Sequence, residues 1–233
     1  MKLEEVSTKK IAQIKSSLLL LFLLFLLLYY LITFIGPLAG PVIAAAVSVQ
    51  LNHKIIETVR DSKLISKKRR EEIYNIIMND NTIFKEYTVI DNKKIDEINI
   101  LNASLLAMEI SIKNIINQIN NQNSSSSASS SSSLLVALID GNKCPKNLGI
   151  KTIPVIKGDK LVYSIALASI IAKVERDKIM DDYDKIYPNY NFKQHYGYPT
   201  KEHFLLLHKY GASPIHRIST KPVQRILYNP TIE

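Results

Sequence analysis

Residues 18–35 are almost wholly apolar, with only Thr33 and the Tyr29-Tyr30 pair carrying polar groups. As a helix rising ~1.5 Å per residue, eighteen residues reach ~27 Å, just enough to cross a bilayer. Lys9, Lys10 and Lys15 precede the run, the flank expected of an anchor with a cytoplasmic N-terminus, and no small-residue cleavage site separates it from Gly36. The same run opens directly into Gly36-Pro37-Leu38-Ala39-Gly40-Pro41 and then into 42–49, an apolar stretch of the length and character of a buried strand. Its last residues, about 27–34, can themselves form a buried strand paired with that one. One segment cannot do both jobs. Either part of the run leaves the fold for a membrane, or the protein is soluble with a very apolar N-terminus.

The remainder reads as one domain. The chain has 233 residues, 46% of them hydrophobic and 22% charged, so it can bury a core without disulfide or metal staples. Cys144 is its one cysteine, which excludes an intramolecular disulfide and a cysteine-based zinc site and suits a reducing compartment. The net charge is +9. Integer counting places about +6 of it in residues 134–233, a distribution that suits a polyanionic partner such as nucleic acid, or else a lysine-rich solvated surface.

Along the chain, Ser66 can cap a helix running to about Asn79, with Ile73, Ile76 and Ile77 inward. Residues 82–90 read as a strand. Asp96 can cap a second helix to about Asn117, with Ile98, Leu101, Leu105, Met108, Ile112 and Ile115 at helical spacing. Residues 120–133 are Asn/Gln/Ser low-complexity sequence, expected to be a flexible loop. Residues 134–139 read as a buried strand stopping at Asp140-Gly141-Asn142, and 153–156 as another ending at Lys157-Gly158-Asp159. A long amphipathic helix over 163–186 is stopped by Pro188, and 204–210 forms a helix ended by Gly211. Residues 224–233 are left as a tail. Strands alternating with helices after an opening hairpin indicate an α/β sheet of mixed strand direction.

Two carboxylates stand where chemistry is placed in such folds. Asp140 ends a buried strand, the end of an α/β sheet at which ligands bind; Asp before Gly is also an ordinary turn residue. Asp177 shares a helix face with Ile170, Lys173 and Val174, and a carboxylate on a partly apolar face must be paired, hydrogen-bonded or metal-bound. The plainer alternative for it is an ion pair with Lys173 or Lys178.

Their flanks are more specific. In order, the chain carries Asp61-Ser62-Lys63, Ile95-Asp96-Glu97-Ile98-Asn99-Ile100, Asp140-Gly141-Asn142 and Lys157-Gly158-Asp159. Ser164 through Asp177 follows, ending Ala172-Lys173-Val174-Glu175-Arg176-Asp177, and then Tyr187-Pro188, His195-Tyr196-Gly197-Tyr198-Pro199-Thr200 and His216-Arg217. This ordered set resembles the bacterial type of ribonuclease HII, from about Gly36 to Val223. The resemblance implies a ribonuclease H-like fold, a five-stranded mixed sheet flanked by helices with a C-terminal helical extension. It also implies a monomeric endonuclease that cuts RNA in RNA–DNA hybrids and single ribonucleotides embedded in DNA. Four carboxylates there hold Mg²⁺ or Mn²⁺, hard cations that take oxygen ligands. Asp140 matches the third and Asp177 the fourth. Gly36, Lys63 and Tyr198 match nucleic-acid contacts, with Tyr198 packing on the ribonucleotide sugar, while His195 and His216 are expected to pack and hydrogen-bond.

The first two carboxylates of that family belong to Asp-Glu-Ala-Gly-Arg-Gly, directly before Pro-Leu-Ala-Gly-Pro. Here the aligned residues are Leu31-Ile32-Thr33-Phe34-Ile35-Gly36, and only the last glycine survives. Two metal ligands are gone, together with the loop that reads the 2′-hydroxyl. Asp159, Glu175 and Asp181 are near in sequence, but none lies on the strand that should carry the missing pair. The expectation is very weak metal binding and a rate several orders of magnitude down. The alternatives are a non-catalytic basic hybrid-binding protein, a membrane-anchored degenerate nuclease, and a frameshift in the coding sequence ahead of Gly36.

Overall fold

The computed structural model describes residues 28–35, 38–50, 53–55, 66–125 and 135–228, and the side chains of 38–50, 53–55, 66–122 and 135–228. Five strands form one sheet: β1 (Leu28–Ile35), β2 (Val42–Ser48), β3 (Phe84–Ile90), β4 (Val136–Asp140) and β5 (Lys151–Val155), in the order β3-β2-β1-β4-β5. β1 runs antiparallel to β2 and β2 antiparallel to β3, whereas β4 is parallel to β1 and β5 parallel to β4. This is the expected mixed sheet, and β1 is its central strand.

The apolar run therefore enters the fold. Tyr30 pairs with Val47 and Ile35 with Val42 on one side of β1, and Leu28 pairs with Val136 and Leu31 with Ile139 on the other. The reading of 18–35 as one membrane-crossing helix is corrected by this pairing. Eight of its eighteen residues are strand. Residues 18–27 lie outside the described residues. No helix among the described residues is long and apolar enough to cross a membrane.

Among the described residues the α-helices are α1 (Lys67–Asn79), α2 (Asn92–Ser125), α3 (Gly158–Leu161), α4 (Tyr163–Ile186), α5 (Phe192–His195), α6 (Lys201–Tyr210) and α7 (Lys221–Tyr228), of which α1, α2 and α4 pack on the sheet. Alternation along β2 explains why a continuous apolar run was needed. Ile43, Ala45 and Val47 pack with Ile73 and Ile77 of α1 and Leu167 and Ile171 of α4, while Val42, Ala44 and Ala46 pack with Ala107 and Ile112 of α2. A strand buried on both faces has no polar side to alternate with. A third cluster, of Ala39, Met180, Tyr190, Phe192 and Ile215, joins the end of α4 to the C-terminal helices, and Leu38, Leu207 and Val223 form a fourth.

Several local expectations are amended. Ser66 does cap α1, its Oγ accepting from Arg69 N at 3.2 Å, but Ile76 is exposed and Tyr74 takes the inward place. β3 begins two residues late because Thr82 N and Oγ1 are both drawn to Asp80 Oδ1 in a turn. Asp96 caps nothing. α2 starts at Asn92, with Asp91 Oδ1 accepting from Lys94 N, and breaks at Asn99 (φ 65°, ψ 164°), whose Oδ1 caps the second half through Asn102 N. That break shifts the helical phase, which is why Leu101 is exposed although the spacing placed it inward. α2 then continues through Ser125, so the low-complexity segment is helical at its start; its residues 126–133 lie outside the described ones. β4 takes in Asp140, β5 spans Lys151–Val155 rather than 153–156, and α7 extends to Tyr228 into the segment read as a tail.

Candidate active site

Asp140 is the last residue of β4. Ala137 and Ile139 of that strand pack toward α2, whereas Leu138 packs with the α1/α4 cluster, so by strand alternation Asp140 faces α4. Its Oδ1 accepts from Gly158 N at 2.7 Å, and Gly141 N donates to Val155 O at 2.9 Å, which ties the strand end to the turn after β5. Gly158 must lack a side chain there: a Cβ would stand 1.8 Å from Ile165 Cδ1 and 3.1 Å from Asp140 Oδ1. Burial pushes the Asp140 carboxyl above its ordinary range, partly offset by the Gly158 N–H, and the neighbouring Asp159 pushes it the same way as burial.

Asp177 lies on the buried side of α4, 6% exposed. Lys173, one turn earlier, donates to its Oδ1 at 2.5 Å, the ion pair that was its plainer alternative. Burial lowers the Lys173 ammonium's affinity for its proton, and Asp177 works against that shift. Lys173 also sits over the Tyr196 ring, 4.7 Å from its centroid. Asp177 opens into a cleft of about 200 Å³ between α1 and α4, which Lys67, Arg70, Glu71, Lys178 and Asp181 also line.

Tyr198 is half-buried at the edge of this region. The Arg176 guanidinium lies 5.7 Å from its ring centroid, Tyr198 N donates to His195 O at 2.8 Å, and Tyr198 O accepts from His203 Nδ1 at 2.9 Å. The donors fix the histidine tautomers. Ser213 N donates to His216 Nδ1 at 2.9 Å, so the His216 proton is on Nε2 and is given to His203 Nε2 at 3.1 Å, leaving the His203 proton on Nδ1 for Tyr198. His195 takes Gly197 N on Nδ1 and donates from Nε2 to Tyr190 O at 2.9 Å. Every ring nitrogen of the three is engaged, so they are structural groups, as expected for His195 and His216.

Two residues that the sequence reading did not single out hold the strap between β1 and β2. Arg217 donates to Gly40 O at 2.9 Å and Pro41 O at 3.0 Å, and Arg176 to Ala39 O and Pro41 O, both at 3.3 Å. Both arginines are fully buried, and burial brings Arg217 down to about 9. The available signal was their place in Glu175-Arg176-Asp177 and His216-Arg217, though arginine is so rarely buried that composition argues the other way. Asp96 acts similarly, accepting from Ile218 N and Ser219 N at 2.9 Å each to dock the C-terminal segment.

The sequence model of ribonuclease HII matches residues 35–223. The chain belongs to the ribonuclease HII family. Curated relatives named ribonuclease HII include that of Caldicellulosiruptor bescii, 45% identical over 77% of this chain and 79% of its own, and that of Mycoplasma mycoides, 42% identical over the same shares. Among solved structures, the PCNA:RNase HII complex from Archaeoglobus fulgidus aligns with TM-score 0.64 at 20% identity, covering 84% of this chain and 96% of that one. Bst-RNase HIII in complex with Mn²⁺ aligns with TM-score 0.58 at 16% identity, covering 90% and 71%. These likenesses give the ribonuclease H-like fold, and membership makes the chain a ribonuclease of the hydrolase class by family.

In this ribonuclease HII family member, one of the two positions where the resemblance leads one to expect a carboxylate, position 32, falls beside Asp140. Leu31 is in register with Ile139 across the parallel β1–β4 pair, so position 32 comes next to Asp140. The family match begins at residue 35 and leaves 31–34 outside it. A pair of divalent cations needs a dense set of negative oxygens. Among the described residues no three of His, Cys, Asp and Glu form a metal-holding group, and Asp177 already carries a lysine. Among the described residues, the side chains present do not fit a two-metal centre. Gly36 and Lys63 lie outside the described residues.

Proposed function

We propose that this chain docks on RNA–DNA hybrids and on DNA carrying embedded ribonucleotides, and that its endonuclease activity is reduced by several orders of magnitude. The observation that carries this reading is the register of β1, which pairs Leu31 with Ile139 and so brings position 32, an isoleucine, next to Asp140, where the family resemblance calls for a carboxylate. The basic C-terminal half suits a polyanion, and Tyr198, held from three sides, suits a sugar contact; Gly36 and Lys63 are assigned as further contacts on the resemblance alone. Asp140 and Asp177 are the residues that would hold Mn²⁺ or Mg²⁺, the first held in place by Gly158 N–H and the second by Lys173. The Mn²⁺ complex of Bst-RNase HIII supports a divalent ion for an intact site. A cytoplasmic monomer is assigned on the family resemblance alone.

The test is a duplex with one ribonucleotide, incubated with the full chain and Mn²⁺, then Mg²⁺. Binding with at most trace cutting is expected. Cutting 5′ of the ribonucleotide at a rate comparable to intact relatives would refute the impaired reading. A wholly non-catalytic binder is the second reading, favoured by the Lys173–Asp177 pair, in which an ammonium already neutralises one of the two remaining carboxylates. A total absence of product in prolonged single-turnover reactions would select it.

A further inference from the structure

The charge around Asp177 is balanced without any metal. Lys173 pairs with Asp177 at 2.5 Å, Lys178 with Glu175 at 3.3 Å, and Lys67 stands 3.9 Å from Asp181. Tyr74 adds its hydroxyl to Glu175. A phosphodiester approaching four unpaired carboxylates is repelled until cations come between them. Here two of the four are absent, and of the two that remain Asp177 has an ammonium of its own.

Lys67 supplies the attractive side. It is the first residue of α1 and its side chain is 52% exposed. Its Nζ donates to Tyr196 Oη at 3.1 Å and lies 5.8 Å from the centroid of the ring that Lys173 also covers at 4.7 Å. Two ammonium groups on one ring repel each other, and the cleft that Lys67 lines sets Arg70 and Lys178 against Glu71, Asp177 and Asp181. The Lys67–Asp181 separation is at the limit of an ion pair, and an ammonium has three donors, so Lys67 keeps capacity for an oxyanion beyond its tyrosine bond. Charges in the cleft beside Asp177 are balanced, and Lys67 stands at it as an exposed ammonium with donor capacity to spare.

We infer that this chain grips the phosphodiester backbone of its hybrid with ammonium groups, Lys67 foremost, and that divalent metal contributes nothing to its affinity. The inference rests on the reading of the chain as a hybrid-binding protein. It concerns how the bound state is held, and it departs from a site in which cations bridge protein and phosphate.

The experiment is fluorescence anisotropy with the full chain and a dye-labelled RNA–DNA hybrid at constant ionic strength, with Mg²⁺ and with EDTA. Affinity is expected to survive EDTA within about twofold, and Lys67→Ala is expected to weaken binding and lower the slope of log K against log salt by about 0.7–0.9, one phosphate contact. Lys67→Arg should keep the slope. A larger loss in EDTA than that margin overturns metal independence. Unchanged affinity and slope in Lys67→Ala overturn the assignment of Lys67. Absence of binding in both buffers defeats the hybrid reading itself, an outcome distinct from the other two.

Discussion

At the residue scale, Asp140 and Asp177 were legible because each sits at a place where a carboxylate is costly: a buried strand end and a half-apolar helix face. Their partners were legible only in part. Lys173 is one turn from Asp177 in sequence, whereas Gly158 reaches Asp140 only through the fold, eighteen residues on. The Asp140 environment makes a prediction. Burial raises its folded carboxyl above the unfolded value, so the native state disfavours the charged form, and the resulting destabilisation is present above the folded pKa and absent below the unfolded one near about 4. Asp140→Asn keeps the acceptor for Gly158 N–H and removes the charge. Urea denaturation should find it more stable than the parent at pH 7, with the advantage shrinking as the pH falls through the carboxylate range. A variant less stable at pH 7 would mean that the charged form is the one the fold favours, and that the carboxylate has structural rather than functional reasons to be there.

At the element scale, periodicity gave the long helices and missed their interruptions. α4 was readable end to end because its apolar face is continuous and Pro188 stops it. α2 was not, because Asn99 adopts a positive φ that only its local hydrogen bond to Asn102 N signals, and asparagine occurs in many other settings. The C-terminal helices were the least readable. Short elements such as α5 and α7 carry little periodic signal, and what assembles them is a buried polar network of His195, His203 and His216. Burial depresses all three, His203 to about 4 and His216 to about 3, and the neighbouring rings lower His203 and His216 further. The folded protein therefore keeps these rings neutral at pH values where the unfolded chain protonates them. Stability should be full above about pH 6.5 and fall as the pH drops toward about 4, by about 1.4 kcal/mol per pH unit for each histidine. Urea denaturation between pH 6 and pH 5, above the carboxylate range, should show a slope of two to three such units. A flat profile there would contradict the neutral network.

At the scale of the whole molecule, the architecture and its defect meet in one strand. The 27–34 stretch could be read as a strand, and its partner at 42–49 as another, but only the sheet order reveals that β1 is central, antiparallel to β2 and parallel to β4. A central strand must suit its neighbours on both sides, a demand separate from the carboxylate pair that the resemblance expects there. On the proposed reading, fold and catalysis are separable in this chain. The replacement Leu31→Asp, Ile32→Glu, Thr33→Ala, Phe34→Gly and Ile35→Arg tests that separation directly. If the rest of the site is intact, the variant should bind Mn²⁺ by calorimetry where the parent binds little, and should cleave the single-ribonucleotide duplex faster by several orders of magnitude. Restored Mn²⁺ binding without cleavage would place a second lesion in the scaffold, with the strap held by Arg176 and Arg217 the first place to look. A variant that unfolds, judged by circular dichroism, would show that the apolar side chains of β1 are themselves required for stability. In that event the single change Ile32→Glu, which adds one carboxylate at the position next to Asp140 in register, isolates the electrostatic question from the packing one. It should raise Mn²⁺ affinity measurably, and if it folds and does not, the register of β1 against β4 does not place a third ligand at the site.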